Sequence, residues 1–110
     1  MKMYLDTSTS TTILKLDERE YRWGAGRDLA ENLLKFISEK LNEGGKTFRD
    51  LTEIRFMAGP GSFTGLRIGA AVVNTLASEL KIPLYNHKDE RVEIILPDYG
   101  RPANISAPRK

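Results

Sequence analysis

Along the first 24 residues the apolar and polar positions follow the period of β-strands. Residues 2–6 (KMYLD) form a short apolar run ending at Asp6, and residues 12–17 (TILKLD) alternate apolar with polar. Residues 20–24 (EYRWG) put Tyr21 and Trp23 on one face. The hydroxyl run TSTSTT and the polar stretch Asp17-Glu18-Arg19-Glu20 read as the turns between these strands. The pattern predicts a three-strand meander. From residue 28 the period becomes helical: Leu29, Ala30, Leu33, Leu34, Ile37 and Leu41 recur at that spacing, with Phe36 beside them. Asp28 is placed to cap this helix, with Glu31 as its capping-box partner, and Gly44-Gly45 should stop it just after Asn42. The apolar face is wide, so part of it should face something other than its own sheet.

The remaining pattern alternates strand and helix. Thr47-Phe48-Arg49-Asp50 reads as a capped helical turn, residues 53–58 (EIRFMA) as the fourth strand, and residues 63–81 as the second long helix. Residues 83–86 (PLYN) make a short fifth strand, followed by a charged connector from His87 to Arg91. Residues 92–96 (VEIIL) read as one more strand, expected to be paired because an exposed edge of that composition is adhesive. The stretch PDYGRP from Pro97 reads as an ordered extended tail, and the last residues as loose. Three hairpin strands followed by strand–helix crossovers imply an α/β fold: a mixed sheet of five to six strands with two long helices packed on it.

Composition narrows the function classes. With 110 residues the chain suits one small domain and one core. It is 40% hydrophobic and 29% charged, and its net charge is +2, with basic and acidic residues interspersed. A solvated mixed surface is favoured over a nucleic-acid groove, and only Pro108-Arg109-Lys110 is locally basic. There is no cysteine, which excludes a disulfide scaffold and cysteine-based metal or nucleophile chemistry and fits a reducing cytoplasm. Neither a signal peptide nor a membrane span is expected. His87 is the single histidine, with no ligand-spaced carboxylates beside it, so a metal site and general acid–base catalysis are both disfavoured.

The most specific stretch is residues 58–69, AGPGSFTGLRIG. It lacks the Gly-Lys-Ser/Thr ending of a P-loop, and its glycines are not spaced as in G-x-G-x-x-G. Two readings remain beside mere backbone convenience of the turn. A phosphate could rest on the amides from Ser62 to Gly65, with Arg67 as countercharge. Alternatively Gly61, Gly65 and Gly69, followed by Val73, form a small-residue ridge that lets another helix approach closely, and this second reading is preferred. Asp6 to Thr9 (DTST) is where a metal-bridged phosphate could sit, or simply a turn that closes a hairpin, the latter being preferred.

DTST after the first strand, together with GPGSFTGLRIG before the second helix and Leu80-Lys81-Ile82-Pro83 after it, resembles the bacterial TsaB family, also called YeaZ. The resemblance covers residues 3–86. It implies a single lobe of the actin-like fold, of the sugar kinase and heat-shock ATPase type, over residues 1–86. Residues 87–110 then form a connector, short strand and tail in place of the family's second lobe. PDYGRP resembles the family's closing P-x-Y-L-R-x-P segment, so the chain looks like either a naturally minimal form or an engineered deletion. The resemblance further implies a non-catalytic, cytoplasmic subunit of the tRNA threonylcarbamoyladenosine machinery. Its partner is a TsaD-type catalytic subunit, with a TsaE-type ATPase in the same assembly, tRNA met only indirectly and no membrane. A homodimer through the same two helices is the other contact implied.

The residues expected to form the partner face are Asn32, Lys35, Phe36 and Glu39 on the first helix, and Arg67, Gly69, Ala71, Asn74, Thr75 and Ser78 on the second. Any nucleotide or anion contact falls to Asp6, Thr7, Gly59, Gly61, Ser62, Thr64, Gly65 and Arg67, with ATP or ADP shared at the partner contact rather than bound by the chain alone. Two rival readings are a small nucleotide-binding module and a homodimeric interaction domain with another partner.

Overall fold

The computed structural model describes residues 1–99 and is built outward from one central strand, β1 (Lys2–Asp6). On one side β1 pairs antiparallel with β2 (Thr12–Leu16), which pairs antiparallel with β3 (Arg19–Trp23). On its other side β1 pairs parallel with β4 (Glu53–Phe56), β4 parallel with β5 (Leu84–Tyr85), and β5 antiparallel with β6 (Arg91–Val92). The sheet is therefore mixed and six-stranded, in the order β3-β2-β1-β4-β5-β6. Strand alternation fixes its faces: Met3, Leu5, Leu14, Leu16, Ile54 and Phe56 are buried on one side, while Lys2, Lys15 and Arg55 lie on the other. In register, Leu5 sits between Leu14 and Phe56, and Met3 between Leu16 and Ile54.

Both helices cover the buried face. Helix α1 (Leu29–Glu43) directs Leu29, Leu33, Ile37 and Leu41, each four residues apart, into the core. The expected Asp28 capping box is absent. Residues Gly26–Asp28 already form a 3-10 turn, and Asp28 has φ −87° and ψ 5°, outside the extended region that a capping side chain requires. The helix ends where the glycines predict. Gly45 has φ 74°, Gly45 N donates to Asn42 O (2.9 Å), and Lys46 N donates to Leu41 O (2.9 Å), the bond pattern of a Schellman cap. A 3-10 turn at Phe48–Asp50 leads into β4, with Thr47 N donating to Asp50 Oδ2 at 2.9 Å.

Helix α2 (Phe63–Leu80) buries Gly65, Leu66, Gly69, Ala70, Val73, Leu76 and Ala77. It ends at Lys81, which takes the left-handed conformation with φ 56°. The expected strand over 92–96 shortens to Arg91–Val92. Its neighbour β5 offers only two residues to pair with, and the Ile95 peptide is drawn away to α2 (below). The tail from Pro97 is described as far as Tyr99, and the rest of the PDYGRP stretch and Pro108-Arg109-Lys110 lie outside the described residues.

Gly45 tests the α1 stop signal cleanly. A Cβ there would meet no atom within 4 Å, so the whole cost of Gly45→Ala is backbone strain. We expect a loss of about 1–2 kcal/mol in urea unfolding, with the slope unchanged.

Candidate functional site

The glycine-rich turn and the hydroxyl-rich turn meet at the carboxyl ends of β1 and β4, the edge where open α/β sheets usually bind ligands. Ser62 N donates to Ser8 O at 2.7 Å, and the Thr7 hydroxyl donates to Gly65 O at 2.7 Å. Thr7 is completely buried. Asp6 turns inward on its own loop: its Oδ1 accepts from Ser8 N (2.8 Å) and from the Ser8 hydroxyl (2.5 Å). Ser62 caps α2, its Oγ accepting from Gly65 N at 3.2 Å. Thus the polar groups of Asp6, Thr7 and Ser62 engage one another's loops and the start of α2.

The glycines permit this approach. A Cβ on Gly61 would come within 2.5 Å of Ser8, and one on Gly65 would overlap the Thr7 carbonyl. One on Gly69 would overlap the Thr7 hydroxyl and lie 2.6 Å from the Phe56 ring. The small-residue ridge is therefore real, but it faces the sheet and the Thr7–Ser8 loop, not another helix. This corrects the placement of Gly69 on a partner face: it is buried in the core. Gly59 (φ 126°), joined to Pro60 by a cis peptide bond, is equally enclosed, because a Cβ there would overlap the Asp98 carbonyl. Thr64 and Arg67 are exposed, and the Arg67 guanidinium lies over the Phe63 ring, 6.0 Å from its centroid.

The tail seals the far side of the glycine turn. Asp98 N donates to Ala58 O at 2.7 Å. Asn74 holds the Ile95 peptide from both sides, with Nδ2 donating to Ile95 O (3.1 Å) and Oδ1 accepting from Ile95 N (2.6 Å). Asn74, expected on the partner face, is committed to its own chain. Sequence pattern did not expose this role, because an asparagine within a helix carries no mark of a clamp 21 residues away. His87 follows β5 and has a buried Nδ1 without a hydrogen-bond partner.

The expected partner residues fall into two groups. On α2, Arg67, Ala71, Thr75 and Ser78 are exposed in one stripe opposite the buried face. On α1, Asn32, Lys35, Phe36 and Glu39 line a shallow recess with Trp23, Gly24, Ala25 and Asp28, and no α2 residue borders it. Its floor is the Trp23–Phe36 stack, with centroids 4.7 Å apart. The α1 group thus faces the β3 edge, away from the α2 stripe. Among the described residues no group of three or more His, Cys, Asp or Glu could hold a metal ion, and no helix is long and apolar enough to cross a membrane.

Tyr4, on the open sheet face, has its hydroxyl pKa raised above 10.0, chiefly by burial and then by the charges of Asp6 and Glu20. Its folded form holds its proton longer than the unfolded chain does, so the stability it contributes is present below pH 10.0 and lost as pH rises past it. Stability should fall in that alkaline range, and Tyr4→Phe should flatten the fall, as followed by unfolding midpoints against pH.

The family model for TsaD, tRNA N6-adenosine threonylcarbamoyltransferase, matches residues 24–88, more than half of the chain. A TsaB protein of Haemophilus influenzae, described as a tRNA threonylcarbamoyladenosine biosynthesis protein, is 34% identical over 84 residues, 73% of this chain and 36% of its own. A TsaB protein of Buchnera aphidicola from Acyrthosiphon pisum is 38% identical over 53 residues, 48% of this chain and 24% of its own. The solved structure of YeaZ from Pseudomonas aeruginosa superposes with a TM-score of 0.67 at 34% identity, covering 77% of this chain and 42% of that one. The chain therefore spans about a quarter to two-fifths of the length of these relatives. Its fold is the actin-like α/β lobe seen in the YeaZ structures.

Gly69→Ala checks the inward ridge. The added methyl meets Thr7 and Phe56, so a loss of about 1–3 kcal/mol is expected in urea unfolding. A neutral result would place the ridge elsewhere.

Proposed function

The chain belongs to the TsaB (YeaZ) branch of the family described by the tRNA N6-adenosine threonylcarbamoyltransferase model, and we propose that it is a non-catalytic assembly subunit in tRNA threonylcarbamoyladenosine biosynthesis. It docks on a TsaD-type catalytic subunit through its helix layer. One observation carries this reading: the polar side chains at the carboxyl edge are engaged within the chain, while α2 presents an exposed stripe to solvent. Asp6, Thr7 and Ser62, the groups that would serve a phosphate, are hydrogen-bonded to Ser8, Gly65 O and Gly65 N respectively. Arg67, Ala71, Thr75 and Ser78 are free of such engagements on the outward face. Small side chains on that stripe let a partner helix approach closely.

The mechanism is organisational. Binding that favours the competent conformation of the catalytic subunit shifts its population toward that state. The chain contributes shape, not a reacting group. A TsaE-type ATPase joins the same cytoplasmic assembly, and tRNA is contacted through the partner. ATP or ADP, if it binds at the subunit contact, meets the exposed Thr64 and Arg67 at the start of α2 rather than the engaged Asp6 and Thr7.

Ala71→Arg should leave the thermal midpoint unchanged, because Ala71 is exposed, and weaken co-purification with a TsaD-type subunit about tenfold or more. A tRNA modification assay with and without the chain then measures its contribution. ATP hydrolysis by the isolated chain would establish the nucleotide-binding reading in its place.

A further inference from the structure

The charges on the sheet strands are paired with one another. Lys15 and Arg22 meet Glu20 at 3.8 and 2.8 Å, and Arg55 meets Glu53 at 3.6 Å and also Asp89. The strand tyrosines are matched in the same way. Lys15 lies 5.5 Å from the Tyr4 ring centroid, Lys40 5.3 Å from that of Tyr21, and the Arg55 guanidinium 4.8 Å from that of Tyr85. The recess between α1 and the end of β3 differs. Its floor is Trp23 stacked on Phe36, and among the described residues no cation lies over the Trp23 ring. Lys40 reaches Phe36 from outside the recess lining and is held by Glu43 at 3.0 Å. Asp28 and Glu39 line the recess with no ion pair among the described residues. Asn32 donates through Nδ2 to Asp28 O (3.2 Å), which leaves its Oδ1 as an acceptor. Lys35 is the single cation of the lining, against two carboxylates.

We propose that this recess receives an arginine side chain of a partner protein, with the guanidinium lying on the face of Trp23. Its volume of about 340 Å³ has room for the cation and its apolar stem. Asn32 and Glu39 stand one helical turn to either side of Phe36, so they are the groups that reach a cation over the floor. Asp28, one turn further, adds its field. Arginine suits the site better than lysine, because a planar cation stacks on a ring while its five N–H donors point to acceptors at the rim. A nucleotide matches the ring but not the charge, since its phosphate meets an excess of carboxylate. The strand β3 is at the sheet edge, so a partner approaches from that side without displacing another strand. No α2 residue borders the recess, and the proposal does not rest on docking through the α2 stripe.

Trp23 is the only tryptophan, so its fluorescence reads the recess directly. The full chain is titrated at constant ionic strength with the blocked tripeptide Gly-Arg-Gly. The same peptide carrying lysine, or citrulline as the uncharged isostere of arginine, is titrated in parallel. The arginine peptide should change the Trp23 emission saturably and shift backbone amides in NMR within residues 23–39. The citrulline peptide should bind at least about fivefold more weakly, and the lysine peptide more weakly than arginine. Glu39→Gln should weaken arginine binding about threefold or more, whereas Lys35→Gln should strengthen it by removing the competing cation. Both positions are exposed, and circular dichroism checks that the variants fold. An unsaturable response overturns the proposal. So do equal binding of the arginine and citrulline peptides, and a response unchanged in Glu39→Gln. Tighter binding of adenosine monophosphate at the same amides would make the recess a base site and overturn it too.

Discussion

The rest of the structure depends on how closely the first turns of α2 approach the Thr7–Ser8 loop. Backbone meets backbone there: Ser62 N binds Ser8 O, and the Thr7 hydroxyl binds Gly65 O. No side chain larger than hydrogen fits at Gly61, Gly65 or Gly69 without displacing a neighbour. The contact sets the height of α2 above β1 and β4, and so lets Leu66, Ala70 and Val73 reach the sheet. A buried hydroxyl satisfied by a carbonyl at that point also fixes the helix along its axis, because sliding would leave both groups unpaired.

The same contact bears on function. In a fold whose ligands usually sit at the carboxyl edge of the sheet, this chain directs the polar groups of that edge into holding itself together. The Asp6 carboxylate organises its own turn, Ser62 caps α2, and the tail closes over Gly59 through Asp98 and Ala58. Among the described residues, what stays open is surface, including the exposed stripe on α2 and the aromatic-floored recess beside α1. Those are features suited to contact with other chains.

Much of the fold was legible in the residues. The meander, both helices, the glycine stop of α1 and the short β5 follow from period, turn chemistry and glycine placement. The resemblance to the TsaB family rested on DTST and GPGSFTGLRIG, and the TsaB relatives and the YeaZ superposition bear it out. The candidate site was legible in composition but not in direction. Gly69 reads equally well as a docking ridge or a buried contact, because glycine spacing shows that something comes close without saying what. Asn74 reads as a polar residue on an exposed face until the Ile95 peptide is seen beside it. The capping box at Asp28 failed for a local reason that propensity does not see: the chain enters α1 already turned.

The sequence by itself determined which segments are strands and helices and that the two turns carry small and hydroxyl residues, since these depend on neighbours within a few positions. Tertiary structure alone decided what those turns do. The bonds from Thr7 to Gly65 and from Asn74 to Ile95 join residues 58 and 21 positions apart. Such pairings arise only once the sheet order places β1 beside β4 and the tail beside α2. Separation along the chain leaves no periodic signal, and a polar side chain declares its partner only when the packed core brings one within reach.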